Sequence, residues 1–189
     1  YKRQPIHPVE DFTKPQKEKI NATLIANPPD IDDSKFDRVV TYLRTLAPPA
    51  QRNANDPSVK RGNILFHKIG CANCHTPSLR TGSDAAIDEL KNQSIKPYTD
   101  LLLHDMGEDL ADGIQDSLAS GSEWRTPPLW GIGLTKTVNG NTFFLHDGRA
   151  RSIEEAILWH GGEGSESRKN YSSLSLDDKV DLLNFINSL

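Results

Sequence analysis

The chain has 189 residues, enough for one domain or one domain with an appendage. Its 22 basic and 26 acidic residues leave a net charge of −4, with no basic block suited to nucleic acid and too mild an acidity to name a partner. Hydrophobic residues make up 35% and mean hydropathy is −0.57, lean for a chain that must build its own core, and no run nears the roughly 18 apolar residues of a membrane helix. The chain opens at Tyr1 without Met or a leader, which reads as a mature or excised piece.

The first thirty residues are polar and carry Pro5, Pro8, Pro15, Pro28 and Pro29. A helix follows from Asp33, with Phe36, Val39, Val40, Leu43 and Leu46 on one stripe. Ala47 to Pro57 is rich in Pro and polar residues and reads as a linker. From Ser58, the spacing of Ile64, Leu65, Phe66 and Ile69 predicts an amphipathic helix leading into Gly70-Cys-Ala-Asn-Cys-His-Thr76.

That motif holds both cysteines of the chain. A thioredoxin-like pair wants a strand before it and a βαβ frame, and a structural zinc site wants further ligands. The Cys71-x-x-Cys74-His75 arrangement reads instead as attachment of a c-type haem, with two thioethers to the porphyrin and His75 on the iron. One covalent haem c follows, together with an exported location, periplasm or cell surface, because such haems are usually attached outside the cytoplasm.

Whether the iron carries electrons or reacts depends on its sixth position. Met106, the sole methionine, lies in a loop-like segment, Leu101-Leu-Leu-His-Asp-Met-Gly. His160 ends a helix opened by the capping box Ser152/Glu155 and closed at Gly161-Gly162. There Ile153, Ala156, Ile157 and His160 form one apolar stripe, so the imidazole points toward the core. His160 and Met106 therefore stand as alternative ligands. His146 suits bracing a loop or binding a propionate, His67 is structural, and His104 and His7 are weak candidates. In Ser122-Glu-Trp-Arg-Thr-Pro-Pro-Leu-Trp130, the Trp124 indole and the Arg125 guanidinium suit haem propionates. Asn139-Gly140, between Thr137-Val138 and Thr142-Phe143, reads as the turn of a small hairpin. The last helix, near Ser175 to Leu189, superposes on the one at Asp33 by a shift of 143 positions, Val39 on Leu182 and Leu43 on Ile186. Both look like the closing helix of a cytochrome c fold. The expected architecture is mostly α, a cytochrome c-like haem domain over residues 58–189 with long loops and one small β-hairpin. Residues 1–57 form an extension, the tail of a preceding domain.

Taken in order, "GCANCHTPSL", "YTDLLLHDMGEDLADG", "EWRTPPLWGIGL" and "FLHDGRARSIEEAILWHGGE" resemble the C-terminal haem domain of bacterial di-haem oxidoreductases. These are sometimes labelled thiol oxidoreductases and are related to di-haem cytochrome c peroxidases and to the enzyme that matures methylamine dehydrogenase. The resemblance covers roughly residues 50–189. It implies haem anchors at Cys71 and Cys74, a proximal ligand at His75 and a distal ligand at His160, where the relatives place Met or Tyr. It places a non-ligating aliphatic residue near Met106. Trp124 or Trp130 would resemble the tryptophan used between haems. The relatives bridge two domains with calcium, which the resemblance leaves open here. They also carry two haem motifs, against one in this chain, so the expected partner is a redox protein or a second haem domain. Two functions follow: electron transfer through a six-coordinate iron, or peroxidase-like chemistry at an open sixth position with Glu155 or Glu163 handling protons.

Overall fold

The computed structural model describes residues 31–189; Pro5, Pro8, Pro15, Pro28, Pro29 and His7 lie outside them. The elements are α1 (Asp33–Thr45), α2 (Pro57–Lys68), α3 (Thr135–Asn139), α4 (Ile153–Leu158), α5 (Ser165–Ser172) and α6 (Leu176–Ser188), with strands β1 (Leu79–Arg80), β2 (Ser94–Ile95), β3 (Leu103–Asp105) and β4 (Glu123–Arg125). The fold is mostly α, as expected, and its strands make two small antiparallel pairs, β1 with β2 and β3 with β4. None of the helices in the described residues is long and apolar enough to cross a membrane.

Contacts divide the chain into two units at Ala47/Pro48. In the first, Asp32 caps α1 by accepting from the Lys35 amide at 2.8 Å. The 143-residue shift that aligned the sequences carries the bounds of α1 onto those of α6.

In the second unit, Asp56 caps α2 and Pro57 occupies its first turn, where a missing N–H costs nothing. Helices α2 and α6 pack together through Val59, Leu65 and Phe66 on one and Leu182, Phe185 and Ile186 on the other. They touch at Gly62: a Cβ there would fall 2.0 Å from the Asp181 carbonyl oxygen and 2.6 Å from Phe185 Cβ. Only glycine permits that approach. Beside the crossing, Asp181 accepts from Arg61 Nε at 2.5 Å, a pairing that holds its carboxyl below the usual range. Phe66, Tyr98 and Phe185 form an edge-to-face cluster, with Phe66 and Phe185 centroids 5.3 Å apart.

Two local expectations change. Thr137-Val138 does not begin a hairpin: the segment is helical, and Gly140 at φ +75° closes α3 by donating to the Lys136 carbonyl. Glycine at positive φ serves a helix C-cap as readily as a primed turn, so the dipeptide alone could not choose. The Pro-rich stretch read as a linker is also fastened to the end of α6, where the Arg52 amide donates to the Ser188 carbonyl at 2.8 Å.

Candidate functional site

Gly70 at φ +96° stops α2 and turns the chain into a single 3₁₀ turn, Cys71–Asn73. The His75 amide donates back to the Cys71 carbonyl at 3.0 Å. This tight wrap brings Cys71, Cys74 and His75 to one wall of a cavity of about 510 Å³. That size lies within the about 300–1,000 Å³ of ligand pockets. Its remaining lining is chiefly apolar, including Leu110, Leu129, Ile132, Phe144 and Ile157.

His75 is fixed from behind. Its Nδ1 lies 3.1 Å from the Tyr98 carbonyl oxygen. A carbonyl only accepts, so Nδ1 carries the proton and Nε2 keeps its lone pair. Tyr98 adopts φ +55°, an uncommon backbone for a bulky residue, to present that carbonyl. Burial pushes the His75 pKa down to about 4, so the ring is neutral at physiological pH, the state that binds metals. Burial pushes the Cys71 thiol up to about 11 and raises Cys74 as well, so neither is poised as a free thiolate nucleophile.

Half of the capping box forms: the Glu155 amide donates to Ser152 Oγ at 3.0 Å, while the Glu155 carboxylate accepts from the Arg151 amide, one residue before the cap, at 2.8 Å. Glu155 is thus spent on the cap and does not line the cavity. Helix α4 stops at Leu158, two residues before the sequence stripe ended, yet His160 still reaches the cavity. Its Nδ1 donates to the Ala156 carbonyl at 2.8 Å, again leaving Nε2 free. Burial lowers its pKa too. Met106 lies beside it: a Cβ on Gly164 would sit 3.2 Å from His160 Cδ2 and 3.3 Å from Met106 Cε.

Trp124 and Arg125 both line the cavity. The expected donor role of the indole is corrected: Trp124 Nε1 donates to the Leu110 carbonyl at 3.1 Å and is not free for a propionate. His146 stacks on that indole at 3.6 Å and donates to the same carbonyl, bracing the loop. Arg125 is exposed at the cavity rim and makes no ion pair among the described residues. His67 bonds its own helix through the Asn63 carbonyl and is structural.

His104, a weak candidate as a ligand, has a structural part instead. Its two ring nitrogens lie 2.8 Å from Asp100 Oδ2 and 2.8 Å from Glu163 Oε2, which bars it from ligation. Glu163, then Asp100, hold its pKa above the ordinary histidine value. The other oxygen of Glu163 accepts from the Asp105 amide at 3.0 Å, so one carboxylate latches the Gly161–Gly164 turn to β3. The Asp100/His104 spacing was visible in the sequence, but Glu163 is 59 residues away and no local signal joins it.

Two neutral imidazoles with free Nε2 atoms, two thiols and an apolar cavity match the donor set of a haem. A protein-family model described as "Di-haem oxidoreductase, putative peroxidase" matches residues 23–189. No curated protein and no solved structure matches the chain.

Proposed function

This chain belongs to the di-haem oxidoreductase family, and from that premise we propose that residues 58–189 are a c-type cytochrome domain that holds one covalent haem and transfers electrons. Family membership carries haem binding and oxidoreductase activity. In the finer reading, Cys71 and Cys74 anchor the porphyrin while His75 and His160 hold the iron. The carrying observation is the pair of half-buried neutral imidazoles lining one cavity, each with Nδ1 tied to a backbone carbonyl.

Bound there, haem supplies a reversible one-electron couple. The chain's own residues do the rest. The Tyr98 and Ala156 carbonyls fix the orientation of both rings and leave each Nε2 facing the cavity side as the free nitrogen. The apolar walls exclude water and Arg125 offers its cation to a propionate at the rim. The family's two haems against one Cys-x-x-Cys-His motif support a second haem domain as partner, and so does the coincidence of α1 with α6, the helix that packs on the motif's leading helix. Residues up to Ala47 then form the end of such a domain. The attachment chemistry supports an exported location.

The second reading, peroxidase-like turnover at an open sixth position, draws on Glu163, which lines the cavity hydrogen-bonded to His104. The test is the ferric spectrum of the purified holoprotein. Electron transfer requires a low-spin spectrum that cyanide and peroxide leave unchanged. A high-spin spectrum that peroxide alters moves the assignment to the peroxidase.

A further inference from the structure

His160 and Met106 are carried by two segments packed as one piece. A Cβ on Gly161 would meet the Met106 carbonyl oxygen at 2.6 Å, and one on Gly107 the Gly162 amide nitrogen at 2.9 Å. The Glu163 carboxylate spans the same seam to the Asp105 amide. The Met106 amide is pinned in turn to the Ser122 carbonyl at 2.9 Å. The backbone at this wall is therefore fixed, while the two side chains lie together against Gly164. Methionine is unbranched, with three rotatable bonds, so its sulfur can sweep the cavity without backbone movement. Both side chains line the cavity that takes the haem.

Resting on the haem reading above, we propose that Met106 is a second distal ligand of the same iron, replacing His160 when the iron is reduced. Imidazole suits ferric iron, whereas a soft thioether favours the softer ferrous state, and methionine ligation raises the potential. One electron from a one-electron donor protein converts Fe(III) to Fe(II). The bond from iron to His160 Nε2 breaks and one to Met106 Sδ forms. His160 keeps its Nδ1 proton on the Ala156 carbonyl throughout, so no proton has to be taken up or released.

The experiment uses the holoprotein in both states, with dithionite as reductant. The ferric form shows a low-spin bis-imidazole spectrum without the methionine–iron charge-transfer band. The ferrous form shows a three-proton methyl resonance shifted strongly upfield by the haem ring, and Met106→Leu abolishes it and lowers the reduction potential. In ferric His160→Ala the methionine–iron band appears. A bis-imidazole ferric spectrum with no upfield methyl signal on reduction overturns the exchange and leaves the haem reading standing. A ferric spectrum that is not bis-imidazole overturns the exchange and the His160 assignment, and the absence of haem absorption overturns the haem reading itself.

Discussion

The two walls that offer an imidazole to the cavity are built by different means. Behind His75 stands the α2–α6 crossing, with Phe66, Leu182 and Phe185 almost wholly buried and the cysteine motif fixed to the end of α2. Around His160 there is a six-residue helix, three glycines in sequence positions 161, 162 and 164, and a latch of hydrogen bonds from Glu163. One wall is held by apolar burial, which is non-directional and hard to undo locally. The other is held by close backbone contact and polar bonds, which respond to single side chains and to pH. An iron between them would have a permanent ligand on the first and an adjustable one on the second.

Removing the first wall's chemistry should have the largest effect. Cys71→Ala with Cys74→Ala should abolish covalent haem altogether, read as the bare-chain mass under denaturing conditions. Next comes the packing behind it. Phe185→Ala, at a side chain 1% exposed, should cost about 3–5 kcal/mol in denaturant unfolding of the holoprotein. Gly62→Ala should cost about 1–3 kcal/mol in the same measurement, because the new methyl is driven into the Asp181 carbonyl and Phe185. A loss of a few tenths of a kcal/mol would show that the crossing is looser than its geometry.

The smallest effect belongs to the second wall and depends on pH. The folded His104 pKa is raised, so its bonds to Glu163 and Asp100 add stability that is complete below the ordinary histidine value of 6.5. That contribution fades as pH rises through the folded value. The stability gap between wild type and His104→Gln should therefore be widest below about pH 6.5 and narrow above it. A gap independent of pH would show that His104 acts by packing alone.

What the sequence showed plainly was local. The cysteine motif, the Ser152/Glu155 box and the apolar stripes of α2 and α6 each lie within a few turns of chain, and the matching span of α1 and α6 followed from residue spacing. What it hid was assembled across distance. The Tyr98 carbonyl behind His75 is 23 residues away, Leu110 joins Trp124 and His146 from 14 and 36 residues, and Glu163 crosses to His104. Glycine misled in one place, at Gly140, because its positive φ ends a helix as well as it turns a hairpin. At Gly161 and Gly164 the reason for glycine is the backbone and the side chains pressed against it, which no single-chain pattern displays.

The most direct test of the central claim is a denaturing mass spectrum of the purified protein together with its absorption spectrum. The expected result is the mass of the chain plus one haem, with low-spin absorption in the ferric state. A mass equal to the bare chain, with no haem absorption retained after denaturation, would contradict covalent attachment at Cys71 and Cys74 and the function built on it.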